Sequence, residues 1–85
     1  MKFSDQSAEA LGGLHPDARK EVRRALNDVA AGRARDVAGL TGRLAGFSRL
    51  RVGRHRVIFR YDPSGELVVE FLAPRSVVYE QFDPR

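Results

Sequence analysis

The 85-residue sequence contains no cysteine and only two histidines, His15 and His55. The missing thiols exclude a disulfide framework and a thiolate metal site, and two isolated histidines do not make a metal centre on their own. Long apolar runs are also missing. The opening MKFSDQSAEA has none of the length a signal peptide needs, and no later stretch is long enough to span a bilayer. The expectation is a cytoplasmic protein that uses no membrane. Catalytic signatures are equally scarce. No glycine-rich loop runs into Lys-Ser or Lys-Thr, and no histidine pair has zinc-protease spacing. Ser4, Ser7, Ser48, Ser64 and Ser76 have no evident histidine–carboxylate partners. With few acids in its basic segment, the chain is not expected to hold a carboxylate-bound metal, and no cofactor is expected.

The most local absence is of negative charge. Between Arg43 and Arg60 there is no Asp or Glu, while six arginines (43, 49, 51, 54, 56 and 60) fall in that window. The net charge of +4 is therefore concentrated in a central patch. Charge of one sign favours a polyanionic partner. At this length residues 1–85 are expected to form one domain with a modest core.

Met1–Phe3 suit a short edge strand. Ser4 or Asp5 can cap a helix running to about Leu11, with Gly12-Gly13 ending it. Pro16 fits the first turn of a second helix. There Ala18, Val22, Ala25, Leu26, Val29 and Ala30 recur at three- and four-residue steps, which makes one apolar stripe. Gly32 stops that helix. Its other face carries Arg19, Lys20, Arg23, Arg24 and Asp28 and reads as solvated. Residues 33–46 read as a connector that Val37, Leu40 and Leu44 tack to the core.

The period then changes to two. In residues 47–52, Leu50 and Val52 share one face and Arg49 and Arg51 the other. Gly53-Arg54 forms a tight turn. Over residues 55–61, His55, Val57, Phe59 and Tyr61 share one face and Arg56, Ile58 and Arg60 the opposite one. Asp62-Pro63-Ser64-Gly65 is a turn. A third strand follows over residues 66–73, Pro74 ends it, and residues 75–82 are a short tail. The expected fold is α+β, with two N-terminal helices on one face of a small antiparallel sheet. The other face is then free, and alternation lines it with Arg49, Arg51 and Arg56. Unneutralised guanidiniums in a row suit phosphate, which each can grip through two hydrogen bonds. A solvated basic face is the alternative reading.

Two further groups carry potential chemistry. Arg75 follows the last strand and Tyr79 lies four residues on. A tail folded back over the sheet would bring a phenol near the guanidiniums as a proton carrier. A ring that merely packs on the sheet is the other reading. His55 offers an imidazole, but alternation turns it toward the helices, where a structural role suffices.

The run from Leu40 to Phe59, LTGRLAGFSRLRVGRHRVIF, followed by Leu67-Val-Val and Arg75-Ser-Val-Val-Tyr79, resembles the RelE/ParE toxin superfamily. That family's pattern is a Leu-x-Gly element, a Leu/Arg-rich strand, Gly-x-Tyr-Arg-Val-Ile-Tyr and a closing Arg-x-x-x-Tyr. The Ala-Leu-Asn-Asp-Val-Ala-Ala-Gly helix end with Leu-His-Pro before it also fits. The resemblance spans nearly the whole chain and implies the RelE-like fold. In its RelE-like branch it implies a metal-independent endoribonuclease that cuts mRNA on the ribosome, the RNA 2′-hydroxyl attacking the neighbouring phosphate. Carried over residue by residue, it makes Arg56, Arg75 and Tyr79 catalytic and Arg49 and Arg51 RNA-binding, and Arg54 in the tight turn is expected to bind RNA as well. It also implies a cognate antitoxin protein as partner. Two other outcomes stay open, a ParE-like inhibitor of DNA gyrase and an inactive antitoxin-binding relative. Two departures bear on the mechanism. His55 stands where the family has tyrosine, and Arg49 and Arg51 stand where it often has lysine. Arginine stabilises charge but gives up no proton near neutral pH.

Overall fold

A computed structural model describes residues 1–84. In chain order the elements are β1 (Lys2–Phe3), α1 (Asp5–Gly12), α2 (Pro16–Ala30), β2 (Val37–Gly39), a 3₁₀ turn (Gly42–Leu44), β3 (Ser48–Val52), β4 (His55–Tyr61), β5 (Leu67–Pro74) and α3 (Val78–Gln81). The strands form one five-stranded sheet in the order β1-β5-β4-β3-β2. β3 to β5 pair antiparallel, as expected, β2 adds an unexpected antiparallel edge strand, and β1 runs parallel to β5, so the sheet is mixed.

The helix boundaries follow their sequence signals. The Ser4 side chain caps α1 by accepting from the Ser7 amide at 3.1 Å. Pro16 opens α2, and His15 is its N-cap, with Nδ1 accepting from the Asp17 amide at 3.2 Å. Gly32, at φ 73°, ends α2 in the left-handed conformation. The Gly32 amide donates to Val29 O and the Arg33 amide to Asp28 O, a paired closure that satisfies the helix's last carbonyls.

Both helices lie on one face of the sheet, as the alternation implied. Leu11 of α1 and Val22, Leu26 and Val29 of α2 form a core with Leu50, Val52, Val57, Phe59, Leu67, Val69 and Leu72. Ala30, included in the apolar stripe, is exposed at the helix end. The face of α2 expected to be solvated is only partly so. Arg19 donates to the carbonyls of Leu11, Gly12 and Leu14 and so closes the end of α1. Asp28 pairs with Arg33 at 3.2 Å.

β5 is stitched to the N-terminus as well as to β4. Ser4 N donates to Val69 O, and the buried Ser7 hydroxyl donates to the same carbonyl at 3.0 Å. Gln6 then does with a side chain what a neighbouring strand would do. Its amide donates to Leu72 O at 2.8 Å and accepts from Leu72 N at 2.9 Å. The edge of β5 is thereby capped where β1 has ended.

The structure corrects three expectations. The connector 33–46 holds β2 and the 3₁₀ turn, elements too short for periodicity to register. The tail 75–82 contains a short helix, α3, at Val78–Gln81. The second sheet face is not free, because Leu44, Val78 and Phe82 cover Ile58 and Ala73 there, forming a second core. A bulge at Glu70 makes this arrangement possible. Ile58 pairs with Phe71 and Phe59 with Val69, so Glu70 is the extra residue. It resets the alternation, sending Leu67, Val69 and Leu72 to the helix side and Phe71 and Ala73 to the second core.

The β4–β5 turn is closed by Asp62, whose Oδ1 accepts from the Ser64 hydroxyl at 2.6 Å and from the Ser64 and Glu66 amides at 2.9 Å. These bonds, the Ser64 hydroxyl first, lower the carboxyl from 3.8 to about 2. A depressed folded-state value stabilises the fold above the unfolded value and loses that contribution as the pH falls toward the folded one. Asp62→Ala should therefore lower the melting temperature at neutral pH. The gap to wild type should close as the pH drops from 3.8 toward about 2. A gap unchanged across that range would contradict the assignment.

Candidate nucleic-acid interface

The site is built on the sheet face away from α1 and α2. In the β3–β4 hairpin, Arg51 stands opposite Arg56 and Arg49 opposite Ile58. Gly53, at φ 57°, supplies the left-handed residue that a two-residue hairpin turn requires. This turn sets the register that makes Arg51 and Arg56 neighbours. On the other side of β4, Arg56 faces Ala73 and His55 faces Pro74. The pairing continues past the strand ends, where the Arg75 amide donates to Arg54 O at 2.8 Å. Arg51, Arg54, Arg56 and Arg75 thus gather at one end of the sheet, with Arg49 two residues further along β3.

Their charge is not neutralised internally. Among the described residues the only arginine–carboxylate pairs are Arg33–Asp28 and Arg60–Glu70. The second of these, at 3.0 Å, removes Arg60 from the basic face. Arg56 is half-buried, and its Nη1 donates to Gly53 O at 3.0 Å and His55 O at 2.8 Å. One nitrogen thus anchors the guanidinium over the turn and the rest of the fork stays open. Arg49 makes one long bond to Asp36 O, at 3.5 Å. Arg51, Arg54 and Arg75 are exposed. Uncompensated guanidiniums held together by the hairpin and the end of β5 can attract an anion without first being assembled.

Beside this corner the second core carries α3. Val78 and Phe82 are buried against Ile58 and Ala73. Phe82 meets Phe47 edge-on at 5.1 Å and Phe71 at 5.5 Å. Ala73 is the register partner of Arg56, so α3 packs on the strand that pairs with that arginine's. Tyr79 follows Val78 and is 39% exposed. Its ring is not packed flat into the core, and its hydroxyl bonds to no described residue. Its backbone carbonyl accepts from Arg43 Nη2 at 3.3 Å, which ties the 3₁₀ turn to α3. His55 is half-buried and, by alternation, on the helix side. Among the described residues no three His, Asp or Glu side chains come together as a metal site would require.

Sequence reasoning missed Arg43 as a brace and missed the cover over this face. The signal for the cover was present. Ile58, Phe71 and Ala73 are apolar at positions that point away from the helices, and apolar residues there call for a partner.

No family model and no curated protein sequence matches the chain. Solved structures do. A chain of the RelBE2 toxin–antitoxin complex of Mycobacterium tuberculosis superposes with a TM-score of 0.73 at 25% identity, over 87% of this chain and 94% of that one. A chain of the RelB–RelE antitoxin–toxin complex of Methanococcus jannaschii gives 0.76 at 15% identity, over 98% and 100%. The YoeB/ParE toxin of Agrobacterium tumefaciens gives 0.73 at 20% identity, over 88% and 99%. The fold is that of the RelE/ParE toxin superfamily, as the sequence resemblance implied. No helix among the described residues is long and apolar enough to cross a membrane.

The energetics of α3 give a test of what positions Tyr79. Phe82→Ala empties the second core and should cost about 3–5 kcal/mol. Arg43→Ala removes one exposed hydrogen bond and should cost about 1 kcal/mol or less. Denaturant unfolding of the two variants measures both, and equal losses would contradict the view that apolar packing, not the Arg43 brace, holds the helix.

Proposed function

We propose that this chain is the single-domain toxin of a type II toxin–antitoxin pair, an endoribonuclease that cuts ribosome-bound mRNA in the cytoplasm. The observation that carries the reading is the corner where Arg49, Arg51, Arg54, Arg56 and Arg75 gather without a carboxylate partner among the described residues. The likeness to structures of RelE-type toxins supports it.

The chemistry suits those residue types. In RNA the 2′-oxygen attacks the adjacent phosphorus, the bond to the 5′-oxygen breaks, and a 2′,3′-cyclic phosphate and a 5′-hydroxyl remain. The 2′-hydroxyl loses a proton and the departing 5′-oxygen gains one. Negative charge builds on the phosphoryl oxygens between these events. Arg49, Arg51 and Arg54 bind the flanking phosphates and fix the strand. Arg56, held by two carbonyls at the turn, and Arg75 stabilise the developing charge. Neither can carry the proton, so that task falls to Tyr79, exposed on α3. His55, half-buried on the other side of the sheet, has no part in this scheme.

The partner proposal follows from the same charge. An acidic segment of a cognate antitoxin, disordered when free, would cover the basic corner. Two of the similar structures are toxin–antitoxin complexes, which supports such a partner.

Primer extension on a reporter mRNA, with ribosomes present and absent, tests the reading. Wild-type protein should cut. Tyr79→Phe should reduce the rate by about 10²–10⁴-fold, and Arg56→Ala by about 10²–10³-fold, with folding intact by circular dichroism. Undiminished cutting by both variants would overturn the site. Intact mRNA together with stalled gyrase and DNA damage would favour the gyrase-inhibitor reading. Harmless expression without any partner would mark an inactive relative.

A further inference from the structure

The arginine corner continues around the β2 edge into a separate cleft of about 290 Å³ between the end of α2 and the start of β2. That volume lies at the lower edge of the roughly 300–1,000 Å³ typical of small-molecule sites, so it suits one flat ring system rather than a large cofactor. Its floor is apolar. Leu50 belongs to the core, and Ala25 and Ala34 are too short to fill the space above it. Its rim is polar, formed by Arg35, Asp36 and Arg51.

The two charged pairs available there divide unequally. Arg33 and Asp28 also line the cleft, but they neutralise each other at 3.2 Å. The Asp36 carboxylate has no cation within ion-pair distance among the described residues, although Arg35 precedes it in the chain and Arg51 stands across from it on β3. The backbone of Asp36 is fully engaged on its carbonyl side, accepting from the Arg51 amide at 3.0 Å and from Arg49 Nη1 at 3.5 Å. One residue thus joins the phosphate-binding arginines to the cleft and holds an unpaired carboxylate at its rim.

We infer that this cleft is a nucleobase subsite, taking one unstacked guanine of the RNA strand whose phosphates lie on Arg49 and Arg51. The inference rests on the function proposed above and deepens it. An apolar floor with a guanidinium beside it is what an unstacked base stacks against. A carboxylate accepts but cannot donate, so it selects bases by the N–H groups they offer. Guanine alone presents two adjacent donors, N1–H and the N2 amino group, on its pairing edge, matching the two carboxylate oxygens. Uracil presents a single N–H between two carbonyls, which repel a carboxylate. Arg35 supplies a further phosphate contact and no selectivity.

Short single-stranded RNAs that differ at one base, with a 2′-deoxy sugar at the cut position to block cleavage, test this by fluorescence anisotropy. Wild-type protein should bind the guanine strand about tenfold or more tightly over its uracil counterpart, the discrimination expected of one good bidentate contact. GMP should compete with the guanine strand more strongly than AMP does. Asp36→Ala should bring the guanine and uracil strands to the same affinity. Arg35→Ala should weaken both alike and flatten the salt dependence by about one phosphate contact. Wild-type protein that binds both strands equally, or Asp36→Ala that keeps the guanine preference, overturns the subsite. If wild-type protein nevertheless cuts mRNA in the primer-extension assay, the functional reading survives that failure. If it neither binds nor cuts any RNA, both fall.

Discussion

β4 is buried on both faces, and the rest of the molecule is arranged around that fact. Val57 and Phe59 close the core under α1 and α2, while Ile58 between them is equally buried on the opposite side. A domain of this size rarely has apolar surface to spare for two cores. Here the second is assembled from small pieces, a 3₁₀ turn, a four-residue helix and a cluster of phenylalanines. α3 is far too short to be stable by itself. It persists because Val78 and Phe82 have somewhere apolar to go, and Ile58 and Ala73 provide it. The Glu70 bulge is the local device that lets β5 serve both cores in turn.

The same strand sets the electrostatics. Ile58 occupies the middle of the outer face, so the charged outer positions of β4 are pushed to its two ends. At one end Arg60 finds Glu70 and is neutralised. At the other, Arg56 meets Arg51 across the hairpin and Arg54 and Arg75 beyond it, with only backbone carbonyls for company. Backbone carbonyls orient a guanidinium without cancelling its charge. The fold therefore concentrates an unbalanced positive potential at one corner and carries Tyr79 on a helix of the same sheet face whose position depends on apolar packing. Binding and proton transfer, on the reading proposed, draw on different parts of the structure, the hairpin for the first and the second core for the second.

Much of this was legible in the sequence, and what was not has a physical reason. The helix limits were readable because Ser4, Pro16 and Gly32 act locally. The hairpin faces were readable because alternation needs no tertiary information, but alternation grouped Arg60 with Arg56, and only the tertiary pairing with Glu70 sets it apart. β2 was invisible at three residues, since its pairing with β3 decides it rather than any pattern of its own. α3 was read as a tail because its stability comes wholly from Ile58, Ala73 and the phenylalanines, residues distant in sequence. The free outer face was an error of weighting, as the apolar residues at positions 58, 71 and 73 already argued for a cover. In the site, the arginine row came from the residues themselves. Arg75 and Tyr79 were candidates from their spacing and gained catalytic roles from a resemblance, and the tethering of α3 by Arg43 came from neither.

The central claim is that the arginine corner binds RNA through its phosphates, and the salt dependence of binding measures this most directly. Each phosphate neutralised on a single strand contributes roughly −0.7 to the slope of log K against log salt concentration. With Arg49, Arg51, Arg54, Arg56 and Arg75 available, a slope between about −2 and −4 is predicted. It should be reduced stepwise as these arginines are replaced by alanine. A slope near zero, or one that is indifferent to their removal, would contradict the account.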